Sequence, residues 1–182
     1  MTAEVSELPY IVTGTTVPEI PLSLRTAAAE ALGGSSVGLH SSRLRVSYRW
    51  RQQGVYCTMT DVAIELESSS QVPSWTDRAA ADFTLVAMWN RDVTALRGHE
   101  FRHREYLYRQ ARDLSLELYR LESPTCSSIQ NIALSTEARI NDQYRRLNEE
   151  LDAESRGTVV WPPSNSIPFE PPRSGAPRGF ST

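Results

Sequence analysis

No apolar stretch in this 182-residue chain approaches the roughly 20 residues that a membrane-crossing helix needs. Met1 to Tyr10 contains Glu4 and Glu7 and lacks both a cationic start and an apolar core, so no secretory signal is read there. Neither charge sign is in large excess. The net charge is -3 and the pI about 5.7, which argues against a general nucleic-acid binder with its basic field. Cysteine is scarce. Cys57 and Cys126 form no CxxC pair and have no metal-finger spacing. They are either two separate buried thiols or one disulfide, the latter implying an oxidising compartment. No internal repeat is present. What remains is a globular composition, 40% hydrophobic and 23% charged, long enough to bury one core.

Periodicity divides the chain. Tyr10 to Val12 reads as a short strand ended by Gly14, and Leu22 to Leu32 as a helix closed by Gly33 and Gly34. From Arg43 to Arg51 the alternation is strict. Leu44, Val46, Tyr48 and Trp50 share one face, and Arg43, Arg45, Arg49 and Arg51 lie on the other. This predicts a half-buried strand with a basic outer face. After a tight connection at Gln52 to Gly54, Val55 to Leu66 is the return strand. Its apolar phase slips by one residue near Thr60 and Asp61, which predicts a bulge.

Pro73 is expected to end the sheet. Ser74 and Asp77 are spaced like a capping box opening a helix that runs to about Leu121, with a break near Gly98. A second helix is expected from Ser128 to Glu154, burying Ile129, Ala133, Ile140, Tyr144, Leu147 and Leu151. The expected fold is α+β, a small antiparallel sheet packed on these two helices. Residues 1–160 form the domain. Residues 161–182, rich in proline, form a flexible or extended tail.

His99-Glu100-Phe101-Arg102-His103 is an HExxH pattern on the first long helix. Residues four apart on a helix share one face, so both imidazoles can reach one ion. Neutral imidazole suits Zn²⁺, and a glutamate beside the first ligand can take a proton from a metal-bound water. Glu100 and His103 also interrupt a stripe bound for the core, where an unpaired polar group is costly. The third ligand is not evident. His40, the only other histidine, reads as an ordinary loop residue. Glu137 and Glu154 fall on the buried stripe of the second helix, with Asp152 beside it. Tyr106 and Tyr144 are candidate oxyanion donors.

The ordered set of these features resembles the bacterial family of predicted secreted zinc-dependent proteases, domain-of-unknown-function family 922. The resemblance runs from about Tyr10 to Gly157. It includes Tyr10 to Thr16, the Arg-rich strand ending at Trp50, Cys57, Pro73-Ser74-Trp75, Trp89 ten residues before the HExxH pattern, Cys126, and Asn141 to Gly157. The resemblance implies an exported, zincin-like metallopeptidase with Cys57 paired to Cys126. Such proteins close on a segment like Tyr-Asp-x-x-Thr-x-His-Gly. Here Leu151 to Gly157 keeps the aspartate as Asp152 and the glycine but lacks the histidine.

The expected activity is therefore hydrolysis of a peptide bond in a peptide or protein substrate. Zn²⁺ is held by His99, His103 and either Asp152 or Glu154, with Glu100 as the base. The missing histidine leaves a second reading, a catalytically degenerate binding module. A third is a structural helix pair carrying the motif by accident.

Overall fold

The computed structural model describes residues 1–33 and 37–155; the expected tail lies outside them. The elements are β1 (Thr2–Val12), α1 (Glu19–Leu32), β2 (Leu39–Gln53), β3 (Tyr56–Trp75), α2 (Phe83–Tyr119), β4 (Glu122–Ser123) and α3 (Cys126–Ser155), with a short 3₁₀ turn at Asp77–Ala80. This is the expected α+β class. The sheet is mixed rather than purely antiparallel. Its order is β1-β3-β2, with β2 antiparallel and β1 parallel to the central β3, and β4 pairs with the start of β3.

The β2–β3 hairpin follows the sequence pattern closely. It turns at Gly54 and Val55, and Gly54 takes the left-handed φ of 61° that such a turn requires. Arg49 pairs with Asp61 and Trp50 with Met59, so Thr60 is the extra residue of the expected bulge. The inward face of β2 packs as predicted. Leu44 and Val46 meet Ile64, Leu66, Leu107 and Leu114, while Tyr48 and Trp50 meet Cys57, Leu118 and Ile129. The outer face is not a free basic strip. Arg43 lies 3.7 Å from Glu67, and Arg45 lies 3.9 Å from Glu65 and 3.5 Å from Glu67.

Three expectations are corrected. Pro73 does not end the sheet: β3 continues to Trp75, with Pro73 opposite Tyr10. By then β2 has ended, since its first residue, Leu39, pairs with Gln71, so the missing N–H of Pro73 costs no ladder bond on that side. Ser74 and Asp77 do not cap the long helix. Asp77 instead accepts a 2.7 Å bond from the Gly14 amide, and Asp82 caps α2 by accepting from the Thr84 amide at 2.7 Å. Gly98 causes no break, and α2 is continuous over 37 residues.

α3 runs back along α2. Gln110 donates to Asn141 at 2.8 Å and Arg139 to Glu117 at 3.3 Å, rungs that place the end of α3 beside the middle of α2. At the other end Cys57 and Cys126 form a disulfide that ties the start of α3 to β3. The bond sits among Met59, Leu118, Ile129 and Ala133. Among the described residues no helix is long and apolar enough to cross a membrane.

Candidate metal centre

The buried stripe of α2 reads Leu96, Glu100, His103, Leu107, Ala111, Leu114 and Leu118. A helix face that buries a carboxylate and an imidazole between leucines must satisfy them locally. His99 and His103 meet edge to face, with ring centroids 4.6 Å apart, so both point to one side of the helix.

Asp152, in the last turn of α3, completes the group. His103 Nε2 lies 3.0 Å from His99 Nε2 and 3.0 Å from Asp152 Oδ1, and His99 Nε2 lies 3.3 Å from the same oxygen. These three are the one set of histidine, cysteine and acidic donors among the described residues placed closely enough to hold a metal ion together. In a tetrahedron with bonds of about 2.0–2.1 Å the donors stand roughly 3.3–3.4 Å apart, so the spacing fits. Asp152 is 55% exposed, so the open side of the triangle faces solvent.

Glu154, the other acid considered for the third position, is not in the set. It is exposed and reaches toward Arg102 at 4.0 Å. The choice follows from helix geometry. Asp152 lies four residues from Asn148 and eight from Tyr144, on the face turned to α2, whereas Glu154 is rotated away from that line.

Asn148 was not legible as a site residue. Its Nδ2 donates to the Tyr144 carbonyl at 2.7 Å, which turns its oxygen toward His103 Nδ1 at 2.6 Å. A carbonyl oxygen can only accept, so His103 carries its proton on Nδ1. That leaves the Nε2 lone pair facing His99 and Asp152. Two lone pairs 3.0 Å apart need a cation between them, either a proton or a metal.

His40 is not in a loop. It is the second residue of β2, its ring stacked 5.7 Å from that of His103. Its Nδ1 lies 3.4 Å from Ser70 Oγ, and its Nε2 is buried without a hydrogen-bond partner. Burial, then the nearby His103 and Arg104, push its pKa down to about 4, so it is neutral near pH 7. The even-numbered alternation of Trp50, Tyr48, Val46 and Leu44, carried back through Ser42, would have placed His40 on the inward face.

Burial also pushes Glu100 up, to about 7. It lies under the chain entering β2: a Cβ built on Gly38 would stand 2.6 Å from Glu100 Oε1 and 2.6 Å from Leu96 Cδ1. Burial lowers the His99 pKa, favouring the neutral, ligand form. The two tyrosines considered as oxyanion donors are used elsewhere. Tyr144 donates to Asp113 at 2.7 Å, and Asp113 lies ten residues along α2 from His103, about 15 Å. Tyr106 packs at the margin of the core, with Arg109 6.0 Å from its ring centre.

Fold and site together define an α+β protein with a candidate two-histidine, one-carboxylate metal centre between two antiparallel helices. The chain belongs to the family described as "Bacterial protein of unknown function (DUF922)", whose model matches residues 8–158. No curated protein and no solved structure matches the chain.

Proposed function

We propose that this protein is a zinc-dependent peptidase acting outside the cytoplasm. The observation that carries the reading is the convergence of His99 Nε2, His103 Nε2 and Asp152 Oδ1 within 3.3 Å of one another, beside a buried glutamate. Two imidazoles and a carboxylate are a zinc donor set that leaves a fourth position for water or substrate. Zinc bound there would lower the pKa of a water toward 7 and polarise a carbonyl.

The chain's own groups supply the rest. Asn148 holds the His103 ring in the tautomer that presents Nε2. Glu100, raised to about 7 by burial, suits a base that accepts a proton from the attacking water near neutral pH and returns it to the leaving amine. The outer edge of β2 has no strand paired to it among the described residues, and an extended peptide can add there. The basic outer face of β2 gives no ground for a preference for acidic sequences, because Glu65 and Glu67 face Arg43 and Arg45. The Cys57–Cys126 disulfide supports an oxidising, exported setting.

Elemental analysis of purified protein, with His99→Ala, His103→Ala and Asp152→Ala beside it, tests the centre. One zinc per chain is expected in the wild type and none in the variants. Cleavage of a broad peptide library by the zinc-loaded wild type, lost in Glu100→Gln with zinc retained, tests the chemistry. Bound zinc without cleavage would favour the binding module instead. Absence of metal after zinc addition would leave the motif accidental.

A further inference from the structure

A groove runs from the metal centre along β2, between that strand and the two long helices. Its first part, about 190 Å³, is lined by His40, His103, Asn148 and Asp152. The second, about 290 Å³, is lined by Leu44, Val46, Asn141 and Glu137. Ser42, Leu107 and Gln110 border both parts, so the two are continuous. The far part is apolar on its strand side and carries one acid, Glu137.

Glu137 is otherwise unexplained. It lies on the inward stripe of α3, where a solvated glutamate has no reason to be. The Tyr48 hydroxyl faces its carboxylate. Oxygen Oε1 is sealed from solvent and has no hydrogen-bond partner. One neutral donor is weak compensation for a partly buried carboxylate, which retains capacity for charged donors. No arginine or lysine lines the groove around it.

We propose that Glu137 is a specificity residue, receiving an arginine or lysine side chain from a peptide extended along β2. The proposal rests on the peptidase reading for the direction of the chain and deepens it by naming the substrate class. Asn148, which meets His103, and Glu137 are eleven residues apart on α3, about 16 Å, which an extended peptide covers in about five residues. The basic side chain therefore stands about five residues from the bond that is cut. Its methylenes cover Leu44 and Val46, and its charge meets the Glu137 carboxylate at the wall of the groove.

The test is a peptide series in which one arginine is moved along an otherwise neutral sequence, with citrulline as the uncharged isostere. Zinc-loaded wild type is assayed for kcat/KM, and zinc-loaded Glu100→Gln for binding by calorimetry. A preference of about tenfold or more for arginine over citrulline is expected at one position about five residues from the cut. Glu137→Gln should abolish it, bringing the arginine-to-citrulline ratio of kcat/KM to about one. Equal rates and equal binding for both peptides at every position overturn the proposal, as does a preference that survives in Glu137→Gln. Should Glu137→Gln not fold, the arginine-to-citrulline ratio on wild type still decides. Absence of cleavage removes the peptidase reading, whereas binding without arginine preference removes this proposal alone.

Discussion

Asn148 touches no substrate in the proposed chemistry, yet its removal should weaken the metal centre. It makes two bonds, 2.7 Å to the Tyr144 carbonyl and 2.6 Å to His103 Nδ1. The first orients the amide and the second fixes the His103 tautomer. Without it, an unrestrained imidazole places its proton on Nε2 for part of the time, and that fraction cannot bind metal. The ring also gains freedom to rotate. Partners of this kind typically alter metal affinity by about 10- to 100-fold, roughly 1.4–2.8 kcal/mol.

Asn148→Ala should therefore raise the zinc Kd by about 10- to 100-fold. The metal-free protein should lose only about 1 kcal/mol of stability, since one hydrogen bond at the edge of the core is lost. Asn148→Asp keeps an acceptor for Nδ1 and its negative charge raises ligand basicity, but it gives up the bond to the Tyr144 carbonyl, so it should recover part of the affinity. Chelator competition at pH 7.5 measures the affinities, thermal melting of metal-free samples the stability, and ¹⁵N spectra of the histidine rings the tautomer. An alanine variant that binds zinc within twofold of wild type, with the His103 proton still on Nδ1, would refute the reasoning.

Four further outcomes follow from the structure. Gly38→Ala forces a methyl to within 2.6 Å of Glu100 Oε1 and Leu96 Cδ1; turnover should fall about tenfold or more through a displaced base, with zinc affinity unchanged, as paired kinetic and chelator assays would show. Replacing both Cys57 and Cys126 by alanine opens a link spanning 69 residues, and the chain-entropy relation gives a loss of about 4 kcal/mol, or roughly 8–16 °C in Tm, testable by melting with and without reductant. Asp152→Ala should abolish stoichiometric zinc yet leave the metal-free Tm nearly unchanged, because the side chain is 55% exposed and its loss opens no cavity. Glu154→Ala should keep wild-type zinc content, since Glu154 stands outside the donor set; a loss of metal there would reassign the third position.

The parts of this fold legible in the sequence are those whose burial is one-sided. Strict alternation marked β2, a phase slip marked the bulge at Thr60, and leucines at helical spacing marked α2 and α3. β1 was visible only from Tyr10 to Val12, because Thr2 to Pro9 is exposed along its length and carries no alternating burial. Its parallel pairing with β3 spans more than 60 residues and leaves no local trace. The capping box expected at Ser74 and Asp77 gave way to Asp82 because Asp77 accepts from the Gly14 amide, a contact across the fold. The motif identified His99, Glu100 and His103 because their spacing is a property of one helix. Asp152, Asn148 and Glu137 lie on another helix, and only its register against α2 separates them from Glu154.

That register is where the disulfide and the metal centre meet. Cys126 begins α3 and Asp152 lies 26 residues on, about 39 Å away along a continuous helix. Between them the helix is held by Ile129 and Ala133 against Cys57 and Leu118, then by Ile140 and Tyr144 against Leu107 and Leu114. A slide of one residue, 1.5 Å, would spoil donor separations of 3.0 and 3.3 Å. A slide of one turn would exchange Asp152 for Asn148 opposite His103. Sequence-adjacent motifs can tolerate such movement, but a donor supplied from a second helix cannot. The long buried stripe of α3 and its pinned start are thus the physical condition for a carboxylate to serve as the third donor.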